Sequence, residues 1–215
     1  MNKLVSLIIV ASLTYLGLNN VYSNETDQPI AVTESVASTG ISKSVFAGGC
    51  FWCIEADFEK LDGVTEAVSG YIGGEASTAT YKQVGHVENK HFEAVEVSYD
   101  PSKVSYAELV EYFWVHIDPT DPSGQFCDKG SAYRSAIFYS NEEEKKIVGK
   151  SLSALNDSKP FAADIVTTIT KAKPFYKAER YHQNYYKKNP IRYNYYRNGC
   201  RRDKRIAELW GKSSD

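Results

Sequence analysis

The chain has 215 residues, 42% of them hydrophobic and 24% charged, which is enough for one globular domain with appendages. A net charge of −2 excludes any general electrostatic pull toward nucleic acid or anionic membrane. A domain this large does not need its 4 cysteines as structural staples.

Lys3 precedes an apolar run from Leu4 to Leu18, and Val21-Tyr22-Ser23 offers a cleavage site. This is the form of a secretory signal peptide over residues 1–23, so the protein is expected to be exported, periplasmic or secreted. Ser12 and Thr14 interrupt the run, so lasting membrane insertion is not expected. Residues 24–43, polar and without aromatics, predict a flexible tether, and the folded domain is expected over 44–212.

The apolar stretch Val45-Phe46-Ala47 ends in Gly48-Gly49, and Cys50 then opens a segment with Ile54, Phe58 and Leu61 at helical spacing. Strand, glycine turn and helix start place Cys50 where unpaired N–H groups and the positive end of a helix dipole converge. A thiolate is favoured there, and the thiolate is the nucleophile. The bland alternative is a buried structural cysteine between core aromatics.

Val64 to Tyr71 reads as a strand, and Phe92 to Tyr99 as the clearest strand of the chain, stopped by Asp100-Pro101. Ser105 and Glu108 form a capping box for a helix reaching about His116, followed by a loop from Asp118 to Gly130. Tyr133 to Tyr139 predicts a strand, Ser140 caps a helix to about Leu155, and Ile165 to Thr170 predicts another strand. From Lys171 onward the chain is basic, aromatic and irregular, with a short closing helix near Arg202 to Trp210. Strands interleaved with helices predict an α/β (α+β) fold, a two-layer sandwich with a mixed sheet covered by helices and a long irregular C-terminal tract.

Within the strand 92–99, alternation puts Glu93 with Val95, Val97 and Tyr99 on the apolar face. A carboxyl held there keeps its proton toward neutral pH and suits a general acid. The pattern alone leaves Glu96 as the alternative inward carboxylate. Asp128 sits in a loop, where turn capping is the default role, and Tyr81 and Tyr133 do not stand out among 16 tyrosines. The histidines show no metal-ligand spacing, so no metal is expected. The basic, aromatic tract 171–205 is read as coil wrapped over the domain and not as a nucleic-acid surface.

Gly49-Cys50-Phe51-Trp52 followed by Glu55 resembles the active-site motif of the A-type peptide methionine sulfoxide reductases. The match continues through Ser69-Gly70-Tyr71-Ile72-Gly73-Gly74, Tyr81-Lys82-Gln83-Val84, His91-Phe92-Glu93-Ala94-Val95, Asp128-Lys129-Gly130, Tyr133-Arg134-Ser135-Ala136-Ile137 and Tyr181-His182-Gln183. The resemblance implies thiol-dependent reduction of methionine S-sulfoxide, free or in proteins, by a peptide-methionine (S)-S-oxide reductase. It implies that Cys50 attacks the sulfoxide sulfur while Glu93 protonates the oxygen, aided by Tyr81 and Tyr133. Phe51 and Trp52 would receive the substrate methyl group, with Asp128 as a second polar group. Cys50 would become a sulfenic acid that a second thiol converts to a disulfide.

For that thiol the resemblance ranks Cys200 first, Cys53 second and Cys127 third. Many members have glycine where this chain has Cys53. No cofactor is implied beyond an external thioredoxin-like reductant, and a monomer is expected. Two other readings compete: a general thiol–disulfide oxidoreductase using Cys50 and Cys53, which gives Glu93 no essential role, and a binding domain with two structural disulfides.

Overall fold

Phe92–Tyr99 is the strand around which the sheet is built, because both its faces are apolar enough to be covered. The structure, a computed structural model, describes residues 40–86 and 90–211. The expected signal peptide and most of the tether lie outside these residues. In chain order the elements are β1 (Ser42–Gly48), α1 (Phe51–Phe58), β2 (Val64–Ile72), α2 (Tyr81–Val84), β3 (Phe92–Tyr99), α3 (Tyr106–Trp114), β4 (Gly124–Gln125), β5 (Asp128–Lys129) and β6 (Ser135–Tyr139). They continue with α4 (Glu142–Ser158), β7 (Thr168–Lys171), β8 (Phe175–Lys177), α5 (Tyr185–Lys188), α6 (Pro190–Gly199) and α7 (Arg202–Trp210). β1 begins at Ser42, two residues ahead of the expected start of the domain.

The main sheet has six strands in the order β7-β6-β1-β3-β2-β8, antiparallel throughout except for the parallel pair β6–β7. Alternation along β3 divides the core as its pattern predicts. Val95, Val97 and Tyr99 join Phe46, Phe51, Ile54, Phe58 and the α3 residues Leu109, Val110 and Phe113 in the larger cluster. Phe92 and Ala94 face the other way, with Val45, Ala47, Ala136 and Phe138. Phe46 is fully buried, its ring 4.9 Å from that of Phe58 and 5.2 Å from that of Phe113.

The capping box of α3 is present, with the Glu108 N–H donating to Ser105 Oγ at 3.2 Å and the Ser105 N–H to Glu108 at 2.7 Å. For α4 the cap falls one residue later than expected: Asn141 accepts from the Glu144 N–H at 2.9 Å, while the Ser140 N–H donates to the Glu144 carboxylate. Residues 165–167 do not join β7. The Val166 N–H is held by the Pro119 carbonyl at 2.8 Å, so the loop is anchored before the strand starts. Residues 131–133 form a 3₁₀ turn and not the start of β6, which turns Tyr133 away from the sheet. The tract after Lys171 has its expected closing helix, α7, and contains β8, α5 and α6 where irregular chain was expected. On α6, Tyr193, Tyr196, Arg197 and Cys200 recur at i, i+3, i+4 and i+7, and this face turns inward.

Phe46→Ala removes the ring at the centre of the larger cluster and is expected to cost about 3–5 kcal/mol of folding stability. Urea unfolding followed by circular dichroism measures this, and a loss below about 1 kcal/mol would show that the cluster collapses to fill the space.

Candidate active site

β1 and β3 bring Cys50 and Glu93 together. Phe46 pairs with Val95 in their antiparallel register, so two residues further along β1 and two back along β3 lie Gly48 and Glu93. The chain then turns at Gly49, whose φ is +82°, and starts α1 directly above Glu93. A side chain at Gly49 would be strained at this φ, and its Cβ would lie 2.5 Å from Cβ of Gln125. Gln125 is itself fixed, accepting from the Asp118 N–H at 2.9 Å and donating to the Asp118 carbonyl at 2.6 Å. The turn that positions Cys50 is thus clamped from the opposite loop.

Cys50, Phe51, Trp52, Tyr81, Glu93, Asp128, Tyr133 and Tyr196 line one narrow cleft of about 60 Å³. Seven of these eight are residues singled out in the sequence. Glu93, not Glu96, is the inward carboxyl: it is 3% exposed, whereas Glu96 pairs with Lys43 at 2.6 Å near the surface. Burial pushes the Glu93 carboxyl up to about 8, offset in part by the Phe51 N–H, which donates to it at 3.3 Å. At neutral pH Glu93 therefore holds a proton. Burial likewise keeps the Tyr81 and Tyr133 hydroxyls protonated well into the alkaline range, so both can donate.

The expectation of a ready Cys50 thiolate needs correction. Cys50 is 6% exposed, and burial, its hydrogen bond with Cys53 and the nearby Glu93 all push its thiol up. The first free N–H of α1 serves Glu93 instead of the sulfur, so desolvation outweighs the helix start. Cys53 is pushed down, first by the hydrogen bond from Cys50 and then by Arg202 and Arg197.

Tyr196 is the cleft residue that sequence reasoning missed. Its hydroxyl bonds to the Asp128 carboxylate and to Cys50, and so links the loop carboxyl to the Cys50 sulfur. Asp128 is held above the usual carboxylate range by burial. Cys200, ranked first as partner of Cys50, is bonded to Cys127 instead; Cys50 and Cys53 are the free cysteines. Cys127, Asp128 and Cys200 form a group of potential metal-ligating atoms within 4.8 Å of one another, but both sulfurs are taken up by the disulfide.

The apolar wall has its own support. The Trp52 ring stacks on Tyr185 at 3.7 Å and its indole N–H donates to His182 Nδ1 at 3.1 Å. His182 is 1% exposed, and burial lowers its pKa, which preserves the neutral ring that can accept this bond. Glu55, fully buried, receives the Ser69 hydroxyl and the Asn184 N–H, and burial lifts it to about 7. It ties α1 to β2 and to the segment carrying His182.

A buried cysteine beside a protonated carboxyl in an aromatic cleft fits a thiol-dependent reductase. Residues 42–214 match the family model for peptide methionine sulfoxide reductase, and the chain belongs to that family. It is 48% identical over 168 residues to peptide methionine sulfoxide reductase MsrA of Bacillus subtilis, covering 78% of this chain and 95% of the relative. It is 47% identical over 170 residues to the MsrA of Streptococcus agalactiae serotype Ia, covering 79% and 99%. Among solved structures, methionine sulfoxide reductase A of Corynebacterium diphtheriae aligns with a TM-score of 0.62 at 32% identity, over 71% of this chain and 76% of that one. Reduced Mxr1 from Saccharomyces cerevisiae aligns with a TM-score of 0.62 at 32% identity, over 70% and 87%. The chain is an enzyme that reduces methionine sulfoxide with electrons from thiols.

His182→Leu removes the acceptor that orients the Trp52 indole. It is expected to raise KM for methionine sulfoxide about tenfold, the effect of one lost buried hydrogen bond, with a smaller change in kcat. Steady-state kinetics on folded variant checks this, and an unchanged KM would separate His182 from substrate binding.

Proposed function

We propose that Cys50 attacks the sulfur of methionine S-sulfoxide while the Glu93 carboxyl gives its proton to the departing oxygen. The observation that carries this reading is the shared cleft: a buried thiol and a carboxyl still protonated at neutral pH line the same small space. The Tyr81 and Tyr133 hydroxyls donate to the sulfoxide oxygen, and Phe51 and Trp52 enclose the methyl group. Asp128, bonded to Tyr196, orients the far side of the cleft. The thiol–disulfide oxidoreductase alternative gives no reason for Glu93 to be buried and protonated here.

The attack forms a bond between the two sulfurs; as the protonated oxygen passes to the Cys50 sulfur, that bond and the S–O bond to methionine break, methionine leaves, and a sulfenic acid remains on Cys50. Cys53, already hydrogen-bonded to Cys50, attacks it to form the Cys50–Cys53 disulfide and release water. Both sulfurs of that pair are buried, whereas Cys127 is exposed and Cys200 half-buried. A thioredoxin-like dithiol therefore reduces Cys127–Cys200, and the resulting thiols exchange with the inner disulfide. Methionine sulfoxide in oxidised proteins and the free amino acid are both substrates, and the S epimer is the one used. Export is supported by the run Leu4–Leu18 and by the presence of a disulfide at the surface. Among the described residues no helix is long and apolar enough to cross a membrane.

The test is a single turnover without added reductant on the separate S and R epimers. The S epimer should yield methionine, and peptide mapping of the product should find Cys50 joined to Cys53. Glu93→Gln should slow the turnover by about 10²–10⁴-fold, the usual worth of a general acid. Because the acid is lost by ionisation, the wild-type rate should fall as pH rises through about 8, and the variant should lack that limb. Equal rates for wild type and variant would remove Glu93 from the chemistry.

A further inference from the structure

Tyr81 stands on an element too small to aim it. Helix α2 has 4 residues, its cap Thr80 makes no side-chain bond to the first turn, and Val84 is its buried residue. A single turn with so little packed against the core does not hold a side chain in one direction. Tyr81 itself is 43% exposed. What fixes it comes from outside α2.

The anchor is Glu179, 98 residues further along the chain. Its Oε1 accepts from the Tyr81 N–H at 3.0 Å, and its Oε2 accepts from the Tyr71 hydroxyl at 2.9 Å. Tyr71 is fully buried on β2, and in the antiparallel register of β2 with β3 it is the partner of Glu93. One carboxylate thus joins the start of α2 to the strand position beside the buried acid. Burial pushes the Glu179 carboxyl up, but the Tyr81 N–H and the Tyr71 hydroxyl outweigh it and hold it below the usual range.

Glu179 is itself fixed to β2. The Ala178 N–H donates to the Ser69 carbonyl at 2.9 Å. Gln183, buried, accepts from the Ser69 N–H at 3.1 Å and donates to the carbonyls of Ser69 at 2.9 Å and Ala178 at 3.0 Å. The loop between these two residues also carries His182, whose ring lies 4.5 Å from that of Tyr81. The backbone of Tyr81 is therefore held by one residue of this loop and its ring by another, which sets direction as well as position.

We propose that Glu179 is a positioning residue that, by bridging the Tyr81 N–H and the Tyr71 hydroxyl, aims the Tyr81 hydroxyl at the sulfoxide oxygen in the space shared with Glu93. It acts through Tyr81 and touches neither the substrate nor the reacting atoms. This rests on Tyr81 donating to that oxygen, as described above. A donor aimed at an oxygen where charge develops lowers the barrier more than it tightens binding. Loss of aim is therefore read in kcat, whereas loss of His182 is read in KM. The plainer role for Glu179 is to satisfy the hydroxyl of the buried Tyr71. That role does not depend on the Tyr81 hydroxyl, and this difference is what the experiment uses.

The test measures methionine formed in the first turnover at saturating S-sulfoxide, for Glu179 variants made with and without Tyr81→Phe. Glu179→Ala should slow that turnover about tenfold, the effect of one lost charge-assisted hydrogen bond, with little change in the half-saturating concentration. Glu179→Asp keeps the charge but is a methylene too short to span both partners, and should fall by a similar factor. Glu179→Gln can still accept from the Tyr81 N–H and donate to the Tyr71 oxygen, and should restore most of the rate. With Tyr81→Phe already in place there is no hydroxyl left to aim, so Glu179→Ala and Glu179→Asp should cause no further loss. Losses of the same factor in both backgrounds would mark a structural role only and overturn the proposal. So would a wild-type rate in folded Glu179→Ala or Glu179→Asp. Where Glu179→Ala does not fold, the Asp and Gln variants carry the comparison, and equal rates for those two would overturn it. Tyr81→Phe turning over at the wild-type rate would instead sink the reading of Tyr81 on which the proposal rests.

Discussion

Exclusion of water from Glu93 is the constraint on which the site depends. A carboxylate this deep would be charged and badly solvated, so the group keeps its proton, and the single N–H from α1 does not reverse this. The same burial keeps the Cys50 sulfur from ionising by itself. One cause thus holds the protons of both groups, which line the same small space.

Helix α6 borders the cleft together with β3 and α1. Tyr196 reaches Cys50 and Asp128 from the same helical face on which Arg197 meets Asp57. Arg202 ends its reach at the Gly48 carbonyl, on the strand that delivers Cys50. The cleft is assembled from parts of the chain far apart in sequence, and its Trp52 wall is held by His182, 130 residues away.

Much of this was legible in the sequence where one residue's neighbours dictated its environment. The alternation of 92–99 named the buried face, and the strand–glycine–cysteine order of 45–50 placed the sulfur at a helix start. Seven of the eight cleft residues followed once the motifs were matched in order. Three points were not legible. Periodicity in 190–200 was hidden because its inward positions are tyrosine and arginine, whose polar ends mimic a surface, although Pro190 at the first helical position was a start signal. The charge state of Cys50 was misjudged because a local argument from the helix start cannot weigh burial, which is a tertiary effect. The Cys127–Cys200 pairing depends on a loop and a helix end that meet only after folding.

That last bond closes a ring of chain with a sequence separation of 73, spanning α4, the outer strand β7 and the whole C-terminal tract as far as the end of α6. A protease that nicks any exposed turn inside the ring cannot release a fragment while the bond holds. In a compartment rich in hydrolases such an enzyme would survive cutting as a two-piece molecule while the bond is oxidised, and the dithiol that recharges it would also be what unlinks the pieces.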